Sequence, residues 1–308
     1  MEVILAKPRG FCAGVKRAIT IVQQALEQYG APVYVLHEIV HNIHVIRDLA
    51  DKGAIFVENL EEIPAGSVTI FSAHGVSLET VGKAGRLGLK TIDATCPLVS
   101  KVHRRVTHLH EEGYEILVIG HKGHPEVEGT CGQAPGEVRV VSSVDEVDRL
   151  PLNSGRKIGY VTQTTLSIDD AEKILSALRR KYPELDEPER TDICYATTNR
   201  QKAVRELSGE VELLLVVGSK NSSNSNRLRE VAFHRGIAAK LIDSAEEIES
   251  SWLDGVERVG VTAGASAPEH LVAEVIVTLK ERYGATCSEM EGETETIKFK
   301  VPSFDSRG

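Results

Sequence analysis

Short runs of β-branched and aliphatic residues alternate along this chain with longer stretches that are apolar on one side only, and no other feature constrains its fold as strongly. A run such as Leu213-Leu214-Leu215-Val216-Val217 has no polar side, so both of its faces must be covered. That is the pattern of a parallel sheet flanked by helices, and the expected fold class is α/β. Strands are expected at residues 3–6, 33–36, 54–57, 68–71, 116–119, 138–141, 158–161, 213–217, 239–242 and 259–262, with a short alternating strand at 297–302 before a frayed end. Most run into a polar loop that opens a helix, and helix starts are marked by Pro97 after Cys96, by Ser167 and by Pro268. In open parallel sheets such loops line the ligand crevice.

Length and charge narrow the class further. At roughly 150 residues per domain, 308 residues make about two domains or three small ones. Lys and Arg number 36 against 45 Asp and Glu, a formal charge of −9, and no Lys/Arg-rich run is present, which argues against a nucleic-acid surface. A small anion is still admissible, because charges beyond a Debye length of about 8 Å are screened and donors in contact decide its binding. The N-terminus has no targeting pattern and no stretch reaches the roughly 20 apolar residues that span a bilayer. Five cysteines at wide, irregular spacing do not resemble a secreted disulfide scaffold, so a cytoplasmic chain with reduced thiols is expected. Neither G-x-G-x-x-G after a strand nor G-x-x-x-x-G-K-[ST] occurs. The stretch Pro183-Glu184-Leu185-Asp186-Glu187-Pro188 is a polar helix breaker that suits a boundary.

Three cysteines share a setting. Cys12 lies in Pro8-Arg9-Gly10-Phe11-Cys12-Ala13-Gly14 between a strand and a helix, Cys96 precedes Pro97 at a helix start, and Cys194 stands just before a helix expected to be capped by Thr197 or Thr198. Helix N-termini favour thiolate over thiol. The three are nearly evenly spaced, leaving about one small α/β domain per cysteine, and the simplest geometry points each thiolate at a common centre. Such a trio suits an iron–sulfur cluster or zinc, although three unrelated buried cysteines would look the same by spacing alone. Cys131 and Cys287 lack this setting and read as structural.

Polar strand ends supply further candidates. His37-Glu38-Ile39-Val40-His41 matches H-E-x-x-H, but it follows a strand rather than lying on a helix, so a zinc hydrolase is a poor match. His41 and His74, in Ser72-Ala73-His74-Gly75-Val76, are loop residues facing a crevice. Gly123-His124-Pro125-Glu126 sets a histidine two residues from a carboxylate, a pair suited to proton delivery, or simply the start of the next helix. The loops around Ser222-Ser223-Asn224 and Ala265-Ser266-Ala267-Pro268 offer hydroxyl and amide donors beside helix N–H groups, a phosphate cradle or a capped loop. Thr162-Gln163-Thr164-Thr165 is a third polar strand end.

In this order, from Met1 to about Val301, these stretches resemble the LytB family of 4-hydroxy-3-methylbut-2-enyl diphosphate reductases. The matching segments also include His41-Asn42, Asp93-Ala94-Thr95-Cys96-Pro97 and Cys194-Tyr195-Ala196-Thr197-Thr198-Asn199-Arg200. The resemblance implies three small α/β domains, at 1–96, 97–193 and 194–308, arranged as a trefoil around one [4Fe–4S] cluster. Cys12, Cys96 and Cys194 would be its ligands and one iron would stay open, the vacancy a catalytic metal needs. It implies reductive dehydroxylation of an allylic diphosphate to isopentenyl and dimethylallyl diphosphate, the last step of the non-mevalonate route. Glu126 would donate protons, Thr164 would orient the substrate oxygen, and His124 would support proton supply. His41, His74, His124, Ser222, Ser223, Asn224 and Ser266 would bind the diphosphate. A ferredoxin or flavodoxin would deliver electrons to a monomer with no nucleic-acid or membrane partner. A zinc hydrolase would instead use His37, Glu38 and His41 and be colourless, air-stable and inhibited by chelator, while a non-catalytic iron–sulfur sensor or electron carrier would need neither the diphosphate loop nor Glu126.

Overall fold

A computed structural model describes residues 1–136, 138–151 and 155–302. Each strand position expected above holds a strand, with the ends differing by a single residue at most, apart from the one at 297–302. The chain divides into two units. One comprises Met1–Val15, His41–Val45 and Tyr195–Lys298, the other Lys16–Val40, Ile46–Cys194 and the chain from Phe299.

The first unit is built on a five-stranded sheet in the order β10-β9-β11-β1-β12, where β1 is Glu2–Leu5, β9 Leu213–Val217, β10 Ala238–Ile242, β11 Arg258–Ala263 and β12 Thr286–Glu289. All four pairings are parallel, with Leu215 opposite Val261 and Val3 opposite Val259. Successive side chains of β9 point to opposite faces. Leu213, Leu215 and Val217 pack with Leu271, Val272, Val275 and Leu279 of α10 (Glu269–Tyr283). Leu214 and Val216 pack with Ala203, Val204 and Leu207 of α8 (Tyr195–Leu207) and with Leu228 and Val231 of α9 (Ser223–His234). The unbroken apolar run is therefore a central strand covered twice. The first strand of the chain, β1, joins the sheet otherwise made by residues 213–289.

The second unit holds two parallel sheets. The four-stranded one runs β3-β2-β4-β5, with β2 Val33–Leu36, β3 Ala54–Val57, β4 Val68–Phe71 and β5 Lys90–Asp93. The three-stranded one runs β7-β6-β8, with β6 Glu115–Ile119, β7 Val138–Val141 and β8 Ile158–Thr162. Leu117 and Ile119 of β6 pack with Ala171, Ile174 and Leu178 of α7 (Ile168–Lys181), while Ile116 and Val118 pack with Val102, Val106 and Leu109 of α4 (Pro97–Glu111).

Two strands, β5 and β12, escape the hydrophobic pattern because they are exposed edge strands of polar sequence, Lys-Thr-Ile-Asp and Thr-Cys-Ser-Glu, held by backbone pairing. The expected strand at 297–302 is corrected. The sheet edge is taken by β12, Met290 makes a last bond to the Leu5 carbonyl, and residues 291–302 have no regular structure. Their polar groups serve side chains instead, as where Arg17 Nε donates to the Lys300 carbonyl at 2.9 Å.

We predict that Leu215→Ala, which opens a cavity between β9 and α10, costs about 2–5 kcal/mol of unfolding free energy. Denaturant titration reads this directly, and an unmoved midpoint would show that the sheet is not packed as described.

Candidate functional site

The two larger sheets share one topological property. Where the helices that follow two adjacent parallel strands leave in opposite directions, a crevice opens at the carboxyl ends of the pair, and ligands bind there. In the five-stranded sheet the pair is β9 and β11, since α9 leads outward to β10 while α10 crosses over β1 to β12. In the four-stranded sheet it is β2 and β4; in the three-stranded sheet β6 and β8 are parallel neighbours whose carboxyl ends lie side by side, β6 connecting to β7 and β8 leading out of the sheet. The loops at these six strand ends carry His41, His74, His124, Thr164, Ser222 and Ser266, with Glu126, Ser223 and Asn224 on the first turn of the helix that follows.

In the second unit, β6 leads through Gly120-His121-Lys122-Gly123 to α5 (Pro125–Cys131). His124 is its N-cap, accepting the Glu126 N–H on Nδ1 at 3.1 Å. An accepting Nδ1 leaves the hydrogen of the neutral ring on Nε2, so His124 can donate there. The Glu126 side chain is 3% exposed and is gripped by one residue of the β8 loop: Thr164 N donates to Oε1 at 2.6 Å and Thr164 Oγ1 to Oε2 at 3.0 Å. Glu126 lies on the first turn of α5, as the helix-start reading expects, and its carboxyl faces the buried Thr164 hydroxyl. The His124 ring meets that of His74 edge-on, centroids 5.8 Å apart, and Ser72 Oγ lies 3.3 Å from His74 Nδ1.

Close backbone packing fixes this pair of loops. A Cβ on Gly129 of α5 would lie 2.9 Å from the Gly75 carbonyl oxygen. Gly75 itself has φ of 78° and leaves room for His103, whose Cε1 would be 2.6 Å from a Cβ there. Burial pushes the His103 pKa down to about 4, against the pull of Asp93, so the ring packs under the His74 loop uncharged at neutral pH.

In the first unit, Ser222 caps α9 and accepts the Ser225 N–H at 3.3 Å. The α9 turn nests between the ends of β9 and β11, where Cβ atoms on Gly218 and Gly264 would fall 2.2 and 2.0 Å from Ser225 Oγ. Asn224 is buried, its Oδ1 accepting from Ala265 N at 2.8 Å and its Nδ2 donating to Thr197 Oγ1 at 3.4 Å. Ser266 Oγ donates to the His41 carbonyl at 2.9 Å. Thus His41, Ser222, Ser223, Asn224 and Ser266 occupy adjoining loops of one unit. Asn42, which the sequence marks only as part of a matching segment and gives no role, caps α2 (Ile43–Ala50) through Oδ1 at His44 and Val45, while its buried Nδ2 has no hydrogen-bond partner.

None of the five cysteines is in a disulfide. Cys12 precedes α1 (Ala13–Tyr29), and its Sγ accepts the Val15 N–H at 3.5 Å. Cys96 is the N-cap of α4, with its N–H on the Ala73 carbonyl at 3.0 Å, so it is tied to the neighbour of His74. Cys194 immediately precedes α8, and its N–H reaches the carbonyl of Thr164 at 3.1 Å. That helix begins at Tyr195, so Thr197 and Thr198 lie within its first turn rather than capping it. Asp192, another residue without a sequence signal, fixes this segment by accepting from Thr162 N at 3.2 Å and pairing with Lys101 at 3.3 Å. Burial raises its carboxyl pKa, with Lys101 and the Thr162 N–H opposing the shift. Burial pushes the Cys131 thiol up to about 11 and raises that of Cys287 as well, so both remain protonated at neutral pH.

The H-E-x-x-H stretch is a loop. His37 has φ of 60° and pairs with Glu58 at 2.9 Å, and α2 starts only at Ile43, so the two histidines do not share a helical face. Among the described residues, no group of three or more His, Cys, Asp or Glu side chains is arranged around a single metal ion.

Comparison with known proteins gives a consistent result. Residues 3–280 match the family model described as LytB protein. A 4-hydroxy-3-methylbut-2-enyl diphosphate reductase of Dechloromonas aromatica is 56% identical over 302 residues, covering 98% of this chain and 99% of its own. One from Desulfotalea psychrophila is 57% identical over 304 residues, covering 99% and 97%. The structure of the E-1-hydroxy-2-methyl-but-2-enyl-4-diphosphate reductase from Plasmodium falciparum superposes with a TM-score of 0.93 at 39% identity, over 99% of this chain and 95% of that one. A second structure, described as (E)-4-hydroxy-3-methyl-but-2-enyl diphosphate reductase, the terminal enzyme of the non-mevalonate pathway, gives 0.65 at 34% identity, over 91% and 100%.

The packing of α5 on the Gly75 loop makes a prediction of its own. Gly129→Ala should force the two backbones apart, at a cost of about 1–3 kcal/mol. Thermal unfolding measures it, and a melting temperature equal to that of the parent would contradict the contact.

Proposed function

This chain belongs to the LytB family, and on that premise we propose that it carries out the reductive dehydroxylation of (E)-4-hydroxy-3-methylbut-2-enyl diphosphate to isopentenyl and dimethylallyl diphosphate, the last step of the non-mevalonate isoprenoid pathway. The observation that carries the reading is the buried Glu126 carboxyl gripped by both the N–H and the hydroxyl of Thr164. In the reaction the allylic C–O bond breaks, the oxygen leaves as water after taking a proton, and the carbon skeleton gains two electrons and a second proton. A carboxyl sealed from bulk water, hydrogen-bonded to a hydroxyl that can pass a proton on, suits that need.

Glu126 is the proton donor to the leaving hydroxyl, and Thr164 orients the substrate oxygen and relays protons. His124 donates from Nε2 to the diphosphate and supports the proton supply. His41, His74, Ser222, Ser223, Asn224 and Ser266 complete the diphosphate site with imidazole, hydroxyl and amide donors and helix-start N–H groups.

The cofactor assigned to this reading is one [4Fe–4S] cluster with Cys12, Cys96 and Cys194 as ligands and one iron without a protein ligand. The donor set suits it: each of these cysteines stands at the start of a helix, and Val15 N–H already points at the Cys12 sulfur. When bound, the cluster supplies the electrons and a Lewis-acidic iron with an open coordination position. Electrons arrive from a ferredoxin or flavodoxin that docks transiently on a cytoplasmic monomer with no nucleic-acid partner. No helix among the described residues is long and apolar enough to cross a membrane.

Two predictions follow from these roles. Glu126→Gln keeps the shape of the side chain but not its acidity, and should retain cluster and substrate binding while slowing turnover about 10²–10⁴-fold; single-turnover rates at the parent level would refute the assignment. Cys194→Ser should lose the visible absorption and iron of the anaerobically purified protein, whereas Cys131→Ser should keep both. Full iron content in the Cys194 variant would contradict ligation by three cysteines.

A further inference from the structure

Arg200, in the second turn of α8, has a side chain that is 0% exposed, and all five of its N–H donors are used. Nε and Nη2 donate to the Gly10 carbonyl at 3.2 and 2.7 Å, and Nη1 donates to the Ala196 carbonyl at 3.0 Å. The remaining donors form a fork on Glu295, Nη1 to Oε1 at 2.8 Å and Nη2 to Oε2 at 3.1 Å. A guanidinium removed from water requires a counter-charge. Glu295 supplies it from the irregular segment that follows β12, steadied by Asn199 Nδ2 at 3.3 Å.

What the fork secures is the loop of Cys12. Gly10 has φ of 66° and gives its carbonyl to Arg200, while its own N–H and that of Cys12 bond to the Ala263 and Ala265 carbonyls. Ala13 N–H then reaches the hydroxyl of Tyr195, the first residue of α8, at 3.2 Å. The loop is thus held between the end of β11 and the start of α8, and Arg200 makes two of those bonds.

We propose that Glu295 is a positioning residue: by neutralising Arg200 it lets that guanidinium hold the Gly10 carbonyl, and so keeps the Cys12 sulfur in its ligating place. The C-terminal segment is on this account part of the cofactor site without touching the cofactor. The proposal rests on Cys12 being a ligand, as read above.

The test uses the full chain with Glu295→Gln, and with Glu295→Asp, which keeps the charge but shortens the reach. In the cluster-free protein under anaerobic conditions, alkylation by iodoacetamide is followed cysteine by cysteine. Cys12 should react about tenfold faster in the Gln variant, with Asp in between, because the loop opens locally; Cys96 and Cys287 should keep their parent rates. In the loaded protein, iron should pass to a chelator faster in the same order. An unchanged Cys12 rate overturns the proposal, and so does an equal rise at all three cysteines, which would mark a general loss of structure. If the Gln variant does not fold, the Asp variant carries the same comparison. Full iron content in Cys12→Ser would sink the ligand reading instead, while the alkylation rates would still report on the clamp.

Discussion

The architecture depends on one constraint: a strand buried on both faces leaves only its ends to polar chemistry. Leu213 to Val217 are buried along their whole length, as are Ile158 to Thr162. No catalytic side chain can project from the middle of such a strand without entering an apolar core. Polar residues gather where the chain leaves the sheet, and the parallel arrangement brings the carboxyl ends of neighbouring strands side by side. Reversal of the connection direction then parts the covering helices. All three sheets are parallel, and that explains why the candidate residues come from separate parts of the chain yet share one local setting at the carboxyl ends of strands.

Much of this was legible in the sequence because burial and periodicity leave the same mark. The strands from Val33 to Leu36 and from Leu213 to Val217 are apolar for the reason that they are covered. Edge strands carry no such mark: β5 and β12 pair through backbone groups common to every residue, and three of the four side chains on each are exposed. The same logic misleads at 297–302, where an alternating run forms no strand and Ile297 is 45% exposed, because a strand also needs a free sheet edge beside it. Alternation is a property of the segment, whereas pairing is a property of the neighbours.

For the site, what the sequence could show was the residues that do chemistry, since cysteine, histidine and glutamate at strand ends stand out by type. The residues that place them do not. Gly129 has meaning only because the Gly75 carbonyl lies where its side chain would be, and Asp192 only because Thr162 N–H needs an acceptor. The link from Glu126 to Thr164 closes a separation of 38 residues, and the link from Arg200 to Glu295 one of 95. No local pattern encodes contacts of that range.

The division of labour among charges carries the argument one step further. Several cations of this chain of net charge −9 are already engaged: Arg200 with Glu295, Arg9 with Glu269 and Glu289, Arg105 with Asp186, and Lys101 with Asp192. The donors proposed for the diphosphate are hydroxyls, amides, imidazoles and backbone N–H groups. Substrate and products of the proposed reaction bear the same diphosphate, so its grip is equal before and after the chemistry and cannot itself lower the barrier. On that reading the cradle of hydroxyl, amide, imidazole and backbone donors serves to orient the group. On the proposed reading, discrimination between ground state and transition state falls to the groups facing the breaking bond, and in the second unit these are the buried carboxyl of Glu126 and the Thr164 that holds it.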